Sequence, residues 1–333
     1  MSAPDDAAGE EGLTVAVTGP TGTFGSGLVP LLQADDRVSR VIGVARSEFD
    51  PASRGWTKMT YRRGDVRQPD DLRAAFEDAD VVVHLAFLIV GADATTTREI
   101  NVEGTLNTFR AAAEVGADRF VYASSVAAYG FHPDNPVAIS EDWPTRPADR
   151  LFYAQEKAEL EQLLAEESRR SPELALYLLR PPIVLGPHAV GGKVRLPDWV
   201  RAVAGAIPRR LPPVPMPVPD LPLQVIHEDD VGSALLQCVV GAGPPGAYNI
   251  AADETLTAAE IVRLLGGIAI ALPPGPAHAA ARAAARLPGL PQPAQWVEAL
   301  AHPAVMDTAK AREQLGWRPR VTARDALLQT LRG

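Results

Sequence analysis

A tyrosine and a lysine four residues apart are the most informative chemical groups in this sequence. Tyr153 and Lys157 fall in a segment with a helical pattern, so this spacing predicts that both side chains lie on one helix face. Among four lysines and six tyrosines in 333 residues, about 0.07 such pairs are expected by chance. An ammonium beside a phenol stabilises the phenolate and lowers its pKa, which permits proton exchange with a carbonyl or an alcohol.

Ser125 is a candidate partner for the same substrate oxygen. It follows the apolar run RFVYAS, which predicts a strand over 119–124, and its hydroxyl could donate a hydrogen bond. A serine that merely ends a strand is the alternative interpretation of this residue alone.

Three glycines spaced three residues apart, Gly19, Gly22 and Gly25, separate a predicted strand from a predicted helix. The first allows a tight exit from the strand, the second a close approach to a pyrophosphate, and the third close packing of helix on sheet. Free N–H groups at the helix terminus would bind the phosphates. A strand–helix loop without a ligand remains the alternative for this motif alone. No Gly-Lys-Ser/Thr or G-x-S-x-G follows, which excludes a P-loop and a nucleophile elbow.

The end of the second predicted strand bears on cofactor choice. A dinucleotide site usually has an acid about 20 residues after the glycines, to bind the ribose hydroxyls. Here that position is Ala45, followed by Arg46. A guanidinium could hold a 2′-phosphate, which favours NADP over NAD, although a surface arginine would look the same. Asp65 and Val66, after the third strand, could flank the adenine.

The elements that must position these residues alternate along the chain. Short, almost continuously apolar runs predict strands at 13–17, 40–45, 58–61, 81–87, 119–124 and 174–179. Helical patterns cover 24–33, 70–77, 96–115 and 152–168. Strands alternating with helices predict an α/β fold with a doubly wound parallel sheet that is covered on both faces. The expected domains are a Rossmann domain over 13–186 and a smaller α/β substrate-binding region over 187–333.

The second region is richer in proline than the first. Seven prolines between 208 and 222 predict an extended, fairly stiff loop or lid over a less polar substrate, or a rigid surface connection. A strand is expected at 223–226, a helix at 229–240 and a strand at 247–251, with residues 223–251 returning to the core sheet. Thr257 and Glu260 form a capping-box pattern before a helix over 257–265. Prolines at 273–276 and 288–293 flank an Ala/Arg-rich helical pattern.

Composition narrows the function classes. The formal net charge of −9 argues against a general nucleic-acid binder. Cys238 is the single cysteine, so a disulfide framework and a thiolate zinc site are excluded, and a cytoplasmic location is expected. The acidic residues 1–12 predict a disordered tail, and the longest apolar run, 81–92, is too short to span a membrane. The six scattered histidines predict no metal site.

Taken together, the motifs resemble those of extended short-chain dehydrogenases/reductases, in the branch of NAD-dependent epimerases/dehydratases. They occur in the family's order over nearly the whole chain: TGPTGTFG (18–25), HLA (84–86), NVEGT (101–105), SSVAAYG (124–130), YAQEK (153–157), LRPPIVLGP (179–187), HEDDV (227–231) and DTAKAREQLGWRP (307–319).

The resemblance implies roles for individual residues. Tyr153 would be the acid/base, Lys157 would lower its pKa and bind the nicotinamide ribose, and Ser125 would bind the substrate oxygen. The residues implied at the cofactor are Gly19, Thr21, Gly22, Thr23, Phe24, Gly25, Arg46, Asp65, Val66, Leu85, Ala86, Asn101, Lys157, Pro182, Ile183 and Val184. A buried asparagine bonded to the backbone at the start of a helix would look identical to Asn101.

Two departures concern the substrate. Sugar-nucleotide members tend to carry Arg-Tyr-Phe-Asn where this chain has 180–183 (RPPI), and Arg-Asp where it has Leu223-Gln224. The chain therefore lacks an asparagine for the sugar nucleotide and an arginine for its diphosphate, which needs charge-assisted partners. This lowers the expectation of a nucleotide-sugar substrate.

Three functions follow for comparison. The first is an NAD(P)-dependent oxidoreductase that exchanges a hydride with a carbonyl or alcohol carbon of a small molecule. The second is a nucleotide-sugar epimerase or dehydratase with a tightly held cofactor. The third is a non-catalytic NADP-sensing protein, which would often lack the tyrosine or the lysine. The helices over 105–115 and 152–168 resemble those through which family members form homodimers.

Overall fold

The fold is seen in a computed structural model that describes residues 12–89, 93–147, 151–189, 216–219, 221–264, 267–272 and 302–332. Its strands are β1 (Leu13–Thr18), β2 (Val38–Ala45), β3 (Met59–Arg63), β4 (Val81–His84), β5 (Arg119–Ala123), β6 (Ala175–Arg180), β7 (Ile183–Leu185), β8 (Met216–Pro219), β9 (Pro222–His227), β10 (Gly246–Asn249), β11 (Thr255–Thr257) and β12 (Ala269–Leu272). Its helices are α1 (Thr23–Ala34), α2 (Pro69–Phe76), α3 (Ala94–Arg98), α4 (Gly104–Glu114), α5 (Phe152–Arg170), α6 (Glu228–Val239), α7 (Ala258–Leu264), α8 (Ala309–Gln314) and α9 (Ala323–Arg332).

The central element is a seven-stranded sheet in the order β10-β6-β5-β4-β1-β2-β3. Every pairing in this sheet is parallel. The strand order reverses direction beside β1, and this switch point is where open α/β sheets bind ligands. The α/β fold with a parallel sheet, predicted from the alternation of strands and helices, is confirmed.

Helices cover both faces of the sheet. Successive residues of a strand point to opposite faces, so Val15 and Val17 join one buried cluster and Ala16 the other. The first cluster contains apolar residues of α1 and α6, and the second those of α2, α4 and α5. This burial on both faces explains why the strands are almost continuously apolar.

Helices α1 and α6 meet through their main chains. A Cβ atom added at Gly27 would lie 2.2 Å from the carbonyl oxygen of Glu228, and one added at Gly232 would lie 2.3 Å from the main chain of Gly27. Only glycine allows this distance at both positions. The contact therefore fixes α6, which belongs to the C-terminal part of the chain, against the helix that follows the glycine turn.

The C-terminal part forms two smaller sheets. Strand β9 lies between β11 and β7, and β12 pairs with β8. Residues 223–251 were expected at the core sheet, and β10 lies there beside β6 while β9 lies in the three-stranded sheet. Among the described strands, the proline-rich β8 pairs only with β12, as expected for a strand whose prolines lack an N–H to donate. Division of the chain at residue 186 stays a prediction.

Other local expectations can be compared directly. Thr257 and Glu260 form the predicted capping box, since the N–H of each residue donates to the side chain of the other, at 2.7 and 3.2 Å. The single helix predicted over 96–115 is interrupted by a π turn at Glu99–Glu103. The predicted tail over 1–12, except its last residue, the Ala/Arg-rich helix and most of the predicted lid lie outside the described residues.

Candidate active site

The main chain of the glycine turn is accessible to a ligand. Gly19 has φ +69°, a conformation that favours glycine, and a Cβ there would lie 3.1 Å from the N atom of Ala86. A Cβ at Gly25 would lie 2.2 Å from the carbonyl oxygen of Pro20, so α1 can pack here only with glycine. Helix α1 begins at Thr23 with Gly22 as its N-cap and without a side-chain cap. Its first N–H groups are thus open to an anion, which fits the pyrophosphate of a dinucleotide.

Thr21, Thr23 and Phe24 are the other residues of the turn that were predicted at the cofactor. Thr21 is exposed, and Phe24 is half-buried against the cluster that contains α1. The hydroxyl of Thr23 donates to the carbonyl oxygen of His188 at 3.2 Å, which brings the chain after β7 onto the helix terminus.

A buried histidine holds the next segment beside this turn. His84 bonds through Nδ1 to the Thr18 hydroxyl at 2.8 Å and through Nε2 to the Thr105 hydroxyl at 3.0 Å. The Thr18 oxygen also accepts the N–H groups of Leu85 and Ala86, at 3.2 and 3.3 Å. Burial lowers the pKa of His84 to about 3, so the ring is neutral at physiological pH. Leu85 and Ala86 are thereby fixed at the rim of the glycine turn.

Ser125, Tyr153 and Lys157 converge at the carboxyl end of β5. Tyr153 is in the first turn of α5 and hydrogen-bonds to the side chain of Ser125. Ser125 is buried, and its Oγ also accepts the N–H of Ala127 at 3.2 Å. Lys157 donates to the hydroxyl of Tyr122 at 2.9 Å and to the carbonyl oxygen of Ala123 at 2.8 Å. Helix spacing and strand end therefore bring the three predicted catalytic residues together.

The protonation states differ from the expectation in one respect. Burial lowers the pKa of Lys157 to about 7, against the opposing effect of Glu161 and Glu156. Burial also raises the pKa of Tyr153, although the hydrogen bond from Ser125 acts in the other direction. The sequence predicted a lowered pKa for Tyr153. The reason for the difference is the burial of Tyr153 itself, which disfavours the phenolate. The Lys157 ammonium is directed to Tyr122 and Ala123.

Asn101 lies in the π turn and joins three segments of the site. Its Oδ1 accepts the N–H of Leu88 at 2.7 Å, and its Nδ2 donates to the carbonyl oxygen of Leu88 at 2.8 Å. Nδ2 also donates to Glu156 at 2.7 Å. The residue is fully buried and bonded to backbone, as the alternative interpretation had it, and these bonds order the segment after Ala86.

Behind the site lies a buried ionic cluster that the sequence analysis missed. Arg180 donates to Glu161 through Nε and a terminal nitrogen at 2.9 and 2.5 Å, and to the hydroxyl of Tyr129 at 2.5 Å. Ser124 donates to Glu161 at 2.5 Å, and Tyr129 donates to Asn249 at 2.8 Å. An arginine in an otherwise apolar strand was the available signal, because a buried guanidinium requires a partner.

The adenosine end holds several charges. Arg46 is exposed, and its carbonyl oxygen accepts Nε of Arg63 at 3.0 Å. Asp65 forms a salt bridge with Arg67 at 2.7 Å, and both Arg67 and Arg46 hold the pKa of Asp65 below its usual range. Val66 is buried, 2.5 Å from where a Cβ would stand at Gly104. The predicted residues Arg46, Asp65 and Val66 therefore lie at the ends of neighbouring strands.

The segment joining β6 to β7 lies beside Ser125. The carbonyl oxygen of Pro181 accepts the N–H of Val126 at 2.9 Å, which ties this segment to the residue after Ser125. Pro182 is buried, Val184 is half-buried, and 49% of Ile183 is exposed. The side chain at the position of the missing asparagine is thus apolar and accessible.

Gln224 has a structural partner. Its Nε2 donates to the carbonyl oxygen of Met306 at 2.9 Å, and its Oε1 accepts the N–H of Met306 at 2.7 Å. Both ends of the amide are therefore used to hold the segment before α8. At this position, where sugar-nucleotide members tend to carry aspartate, the side chain binds the main chain of Met306.

In the described part of the chain, no group of three or more His, Cys, Asp or Glu side chains could hold a metal ion. No helix within the same ranges is both long and apolar enough to cross a membrane.

Comparison with known proteins identifies the family. The sequence profile of the NAD dependent epimerase/dehydratase family matches residues 15–251, which contain the glycine turn, Ser125, Tyr153 and Lys157. The chain belongs to this family. It is therefore an enzyme of the NAD-dependent epimerase/dehydratase type, and the resemblance seen in the motifs is confirmed.

Proteins similar to this chain come from bacteria and from humans. An uncharacterized protein of Mycobacterium tuberculosis is 27% identical over 96% of this chain and 83% of its own length. Human 3 beta-hydroxysteroid dehydrogenase type 7 is 32% identical over 54% of this chain and 53% of its own length. DesIV, a dTDP-glucose 4,6-dehydratase from Streptomyces venezuelae solved with NAD, has a TM-score of 0.71 and 23% identity, with 96% of each chain covered. At this level of identity, the likeness to DesIV shows a shared fold and no more.

Proposed function

We propose that this protein is an NAD(P)-dependent oxidoreductase that exchanges a hydride with a carbonyl or alcohol carbon, with Tyr153 as acid and base. The observation that carries the proposal is the convergence of Tyr153, Ser125 and Lys157 at the end of β5. These groups can hold and move one proton beside a polar oxygen. The fit of the glycine turn to a pyrophosphate supports the cofactor.

The proton chemistry uses the chain's own groups. In reduction, the Tyr153 hydroxyl would donate its proton to the substrate oxygen, while Ser125 donates a hydrogen bond to that oxygen. In oxidation, the phenolate would accept the alcohol proton. Lys157 in its ammonium form would stabilise the phenolate, so its pKa near 7 sets the pH range in which this support is present.

The bound nicotinamide would supply or accept the hydride. The residues that would hold the dinucleotide are those of the glycine turn and its rim, the adenosine end, the ordered π turn and the segment after β6: Gly19, Thr21, Gly22, Thr23, Phe24, Gly25, Arg46, Asp65, Val66, Leu85, Ala86, Asn101, Lys157, Pro182, Ile183 and Val184.

The experiment for this proposal is steady-state consumption of added NADPH or NADH with a panel of ketones and aldehydes, and the reverse with alcohols. Stoichiometric consumption of cofactor with product is expected. A second candidate, a nucleotide-sugar epimerase or dehydratase, is favoured by the family and by the fold shared with DesIV. Isomerised or dehydrated nucleotide sugar without net cofactor consumption would establish that function instead.

We propose a small-molecule substrate less polar than a nucleotide sugar. The exposed Ile183 and the commitment of Gln224 to the main chain support this choice. The partial identity to a human hydroxysteroid dehydrogenase agrees with it. Turnover of UDP- or dTDP-sugars at rates above those of apolar ketones would contradict it.

NADP is the proposed cofactor in preference to NAD. Arg46 and Arg63 stand together at the ends of β2 and β3, where two guanidiniums could bind a 2′-phosphate. Calorimetry is expected to give tighter binding of NADP than of NAD, with the preference reduced about tenfold by Arg46→Ala. Arg54→Ala is the control, because the Arg54 guanidinium lies over the rings of Phe49 and Trp56. This variant should leave the cofactor preference unchanged. Tighter binding of NAD, unaffected by Arg46→Ala, would refute the preference.

We further propose a cytoplasmic homodimer formed through α4 and α5. The support is the family's habit of pairing through these helices. In this chain the ion pair Arg110–Glu167 joins α4 to α5, and Arg98–Glu159 joins α3 to α5. Sedimentation at several protein concentrations is expected to give twice the mass of 35.4 kDa. A mass of one chain throughout would contradict it.

A further inference from the structure

Phe87 stands between the two groups that carry the proposed chemistry. The Nζ atom of Lys157 lies 3.6 Å from the centroid of the Phe87 ring. The ring of Tyr153 meets the Phe87 ring edge to face, with centroids 5.7 Å apart and an interplanar angle of 89°. One half-buried phenyl group therefore contacts both the ammonium and the phenol.

The hydrogen bonds of Lys157 complete this arrangement. An ammonium has three N–H donors, and two of them are directed to the Tyr122 hydroxyl and the Ala123 carbonyl oxygen. Of the three described rings around Nζ, that of Phe87 is the nearest, and its face carries partial negative charge. The centroids of the Tyr122 and Tyr153 rings lie at 4.6 and 5.8 Å. The ring thus acts as a third partner of the cation.

The main chain holds the Phe87 ring in place from both sides. The N–H of Ala86 donates to the Thr18 hydroxyl at 3.3 Å. On the other side, Leu88 is bound twice by the Asn101 amide, at 2.7 and 2.8 Å. Because the residues before and after Phe87 are both fixed by buried side chains, the ring position is set by the fold.

We propose that Phe87 is a positioning residue, whose ring face stabilises the ammonium form of Lys157 and thereby sets the protonation state in which Tyr153 works. This inference rests on the function proposed above. Removing the ring face while keeping an apolar side chain would leave Lys157 equally desolvated but without its third partner. The ammonium would then lose its proton at lower pH.

Other ionisable groups also face Lys157. Glu156 and Glu161 on α5 favour its ammonium form, and Tyr122 on β5 accepts its hydrogen bond. His84 on β4 is held neutral. These groups are unchanged in a Phe87 variant, so a shift measured there reports the ring.

The scarcity of lysine makes a direct test possible. Protein labelled with ¹³C at lysine Cε should give four resonances, because the chain has four lysines, and Lys157→Met identifies the one that belongs to Lys157. We expect Phe87→Leu to lower the titration midpoint of Lys157 by about one pH unit. Phe87→Tyr, which keeps the ring face, should retain the original midpoint.

Two comparisons separate this effect from a general disturbance. Phe49→Leu removes a ring that lies 5.8 Å from the Arg54 guanidinium, and it should leave the Lys157 midpoint unchanged. Circular dichroism verifies that each variant is folded. An unchanged midpoint in Phe87→Leu, or equal shifts in Phe87→Leu and Phe87→Tyr, would overturn the proposal.

The titration requires no turnover, so it tests Phe87 independently of the proposed reaction. With a substrate in hand, Phe87→Leu should also move the alkaline limb of the pH profile of kcat downward by a similar interval. If the NMR midpoint shifts but the pH profile of kcat does not, Phe87 stabilises the ammonium of Lys157 without influencing the reaction, and the proposed role in catalysis is refuted. Loss of activity in Phe87→Tyr with an unchanged midpoint would count against the proposed role as well.

Discussion

Glu161 and Lys157 are buried charged groups one turn apart on helix α5, and their surroundings differ. Glu161 accepts hydrogen bonds from the Arg180 guanidinium and from Ser124, so its charge is matched by a cation. Lys157 donates to a phenol, a carbonyl oxygen and an aromatic ring, which are neutral partners. Ionic pairing fixes the first group, whereas neutral partners leave the second near its titration point. Among the residues that the structure describes, the group proposed to support proton transfer is thus the one without a counterion in contact.

The strongest way to test the Lys157 side of this comparison is to remove the hydroxyl of the neighbouring Tyr153. Tyr153→Phe should reduce kcat by about 10³-fold, because the acid/base group is lost while the ring remains. Tyr177→Phe, in a tyrosine whose hydroxyl donates to the Gly243 carbonyl oxygen, is a control that should retain turnover. Equal kcat for Tyr153→Phe and the original enzyme would remove Tyr153 from the mechanism.

The ionic side can be broken by deleting one partner. Arg180→Met should lower the free energy of unfolding by about 3–5 kcal/mol, because it leaves the buried carboxylate of Glu161 unpaired. Replacing both, as Glu161→Met with Arg180→Met, should recover much of that loss. Urea unfolding measures both. If the double variant is less stable than Arg180→Met alone, the charge imbalance is not the cause.

A pH series distinguishes the two groups without breaking the fold. Burial lowers the pKa of Lys157 from 10.5 to about 7, so between these values the unfolded chain binds more protons than the folded one. The free energy of unfolding should therefore rise with pH over this window, by at most about 1.4 kcal/mol per pH unit from this residue. Lys157→Met should lack that contribution. Parallel stability curves for the two proteins from pH 7 to 9 would refute it.

The smallest expected effect comes from trimming the ionic cluster. Ser124→Ala removes one hydrogen-bond donor to Glu161 but leaves its partner Arg180 in place. We therefore expect the free energy of unfolding to fall by about 1 kcal/mol. The titration midpoint of Lys157 should stay where it is, in contrast to Phe87→Leu. A midpoint shift in Ser124→Ala would mean that the two clusters are coupled.

Much of the fold could be predicted because its signals are local. Apolar strands, helical periodicity and the capping box of Thr257 and Glu260 each depend on neighbours in sequence. The position of β9 in a separate sheet and the π turn around Asn101 could not be predicted, because they depend on contacts distant along the chain. The short helices α8 and α9 lacked a pattern long enough to be recognised as such.

For the candidate site, residue spacing located the groups but not their environment. The spacing of Tyr153 and Lys157 predicted their shared face, yet the pKa of Tyr153 is raised because its burial outweighs the hydrogen bond from Ser125. Phe87 escaped notice since an aromatic residue in an apolar run is usually core. Its position became evident only once the strand end and α5 were in contact.

The glycine contact between α1 and α6 has a consequence for how the chain can be divided. A fragment ending near residue 186 would contain the proposed cofactor machinery but would lack α6, which meets Gly27 through the main chain, and the edge strand β10. Such a fragment would expose the apolar face of α1 and an unpaired strand edge, so we expect it to aggregate when expressed alone. We therefore expect the predicted cofactor and substrate parts to fold as one unit, so that recombination with a relative would have to exchange both sides of that glycine contact together.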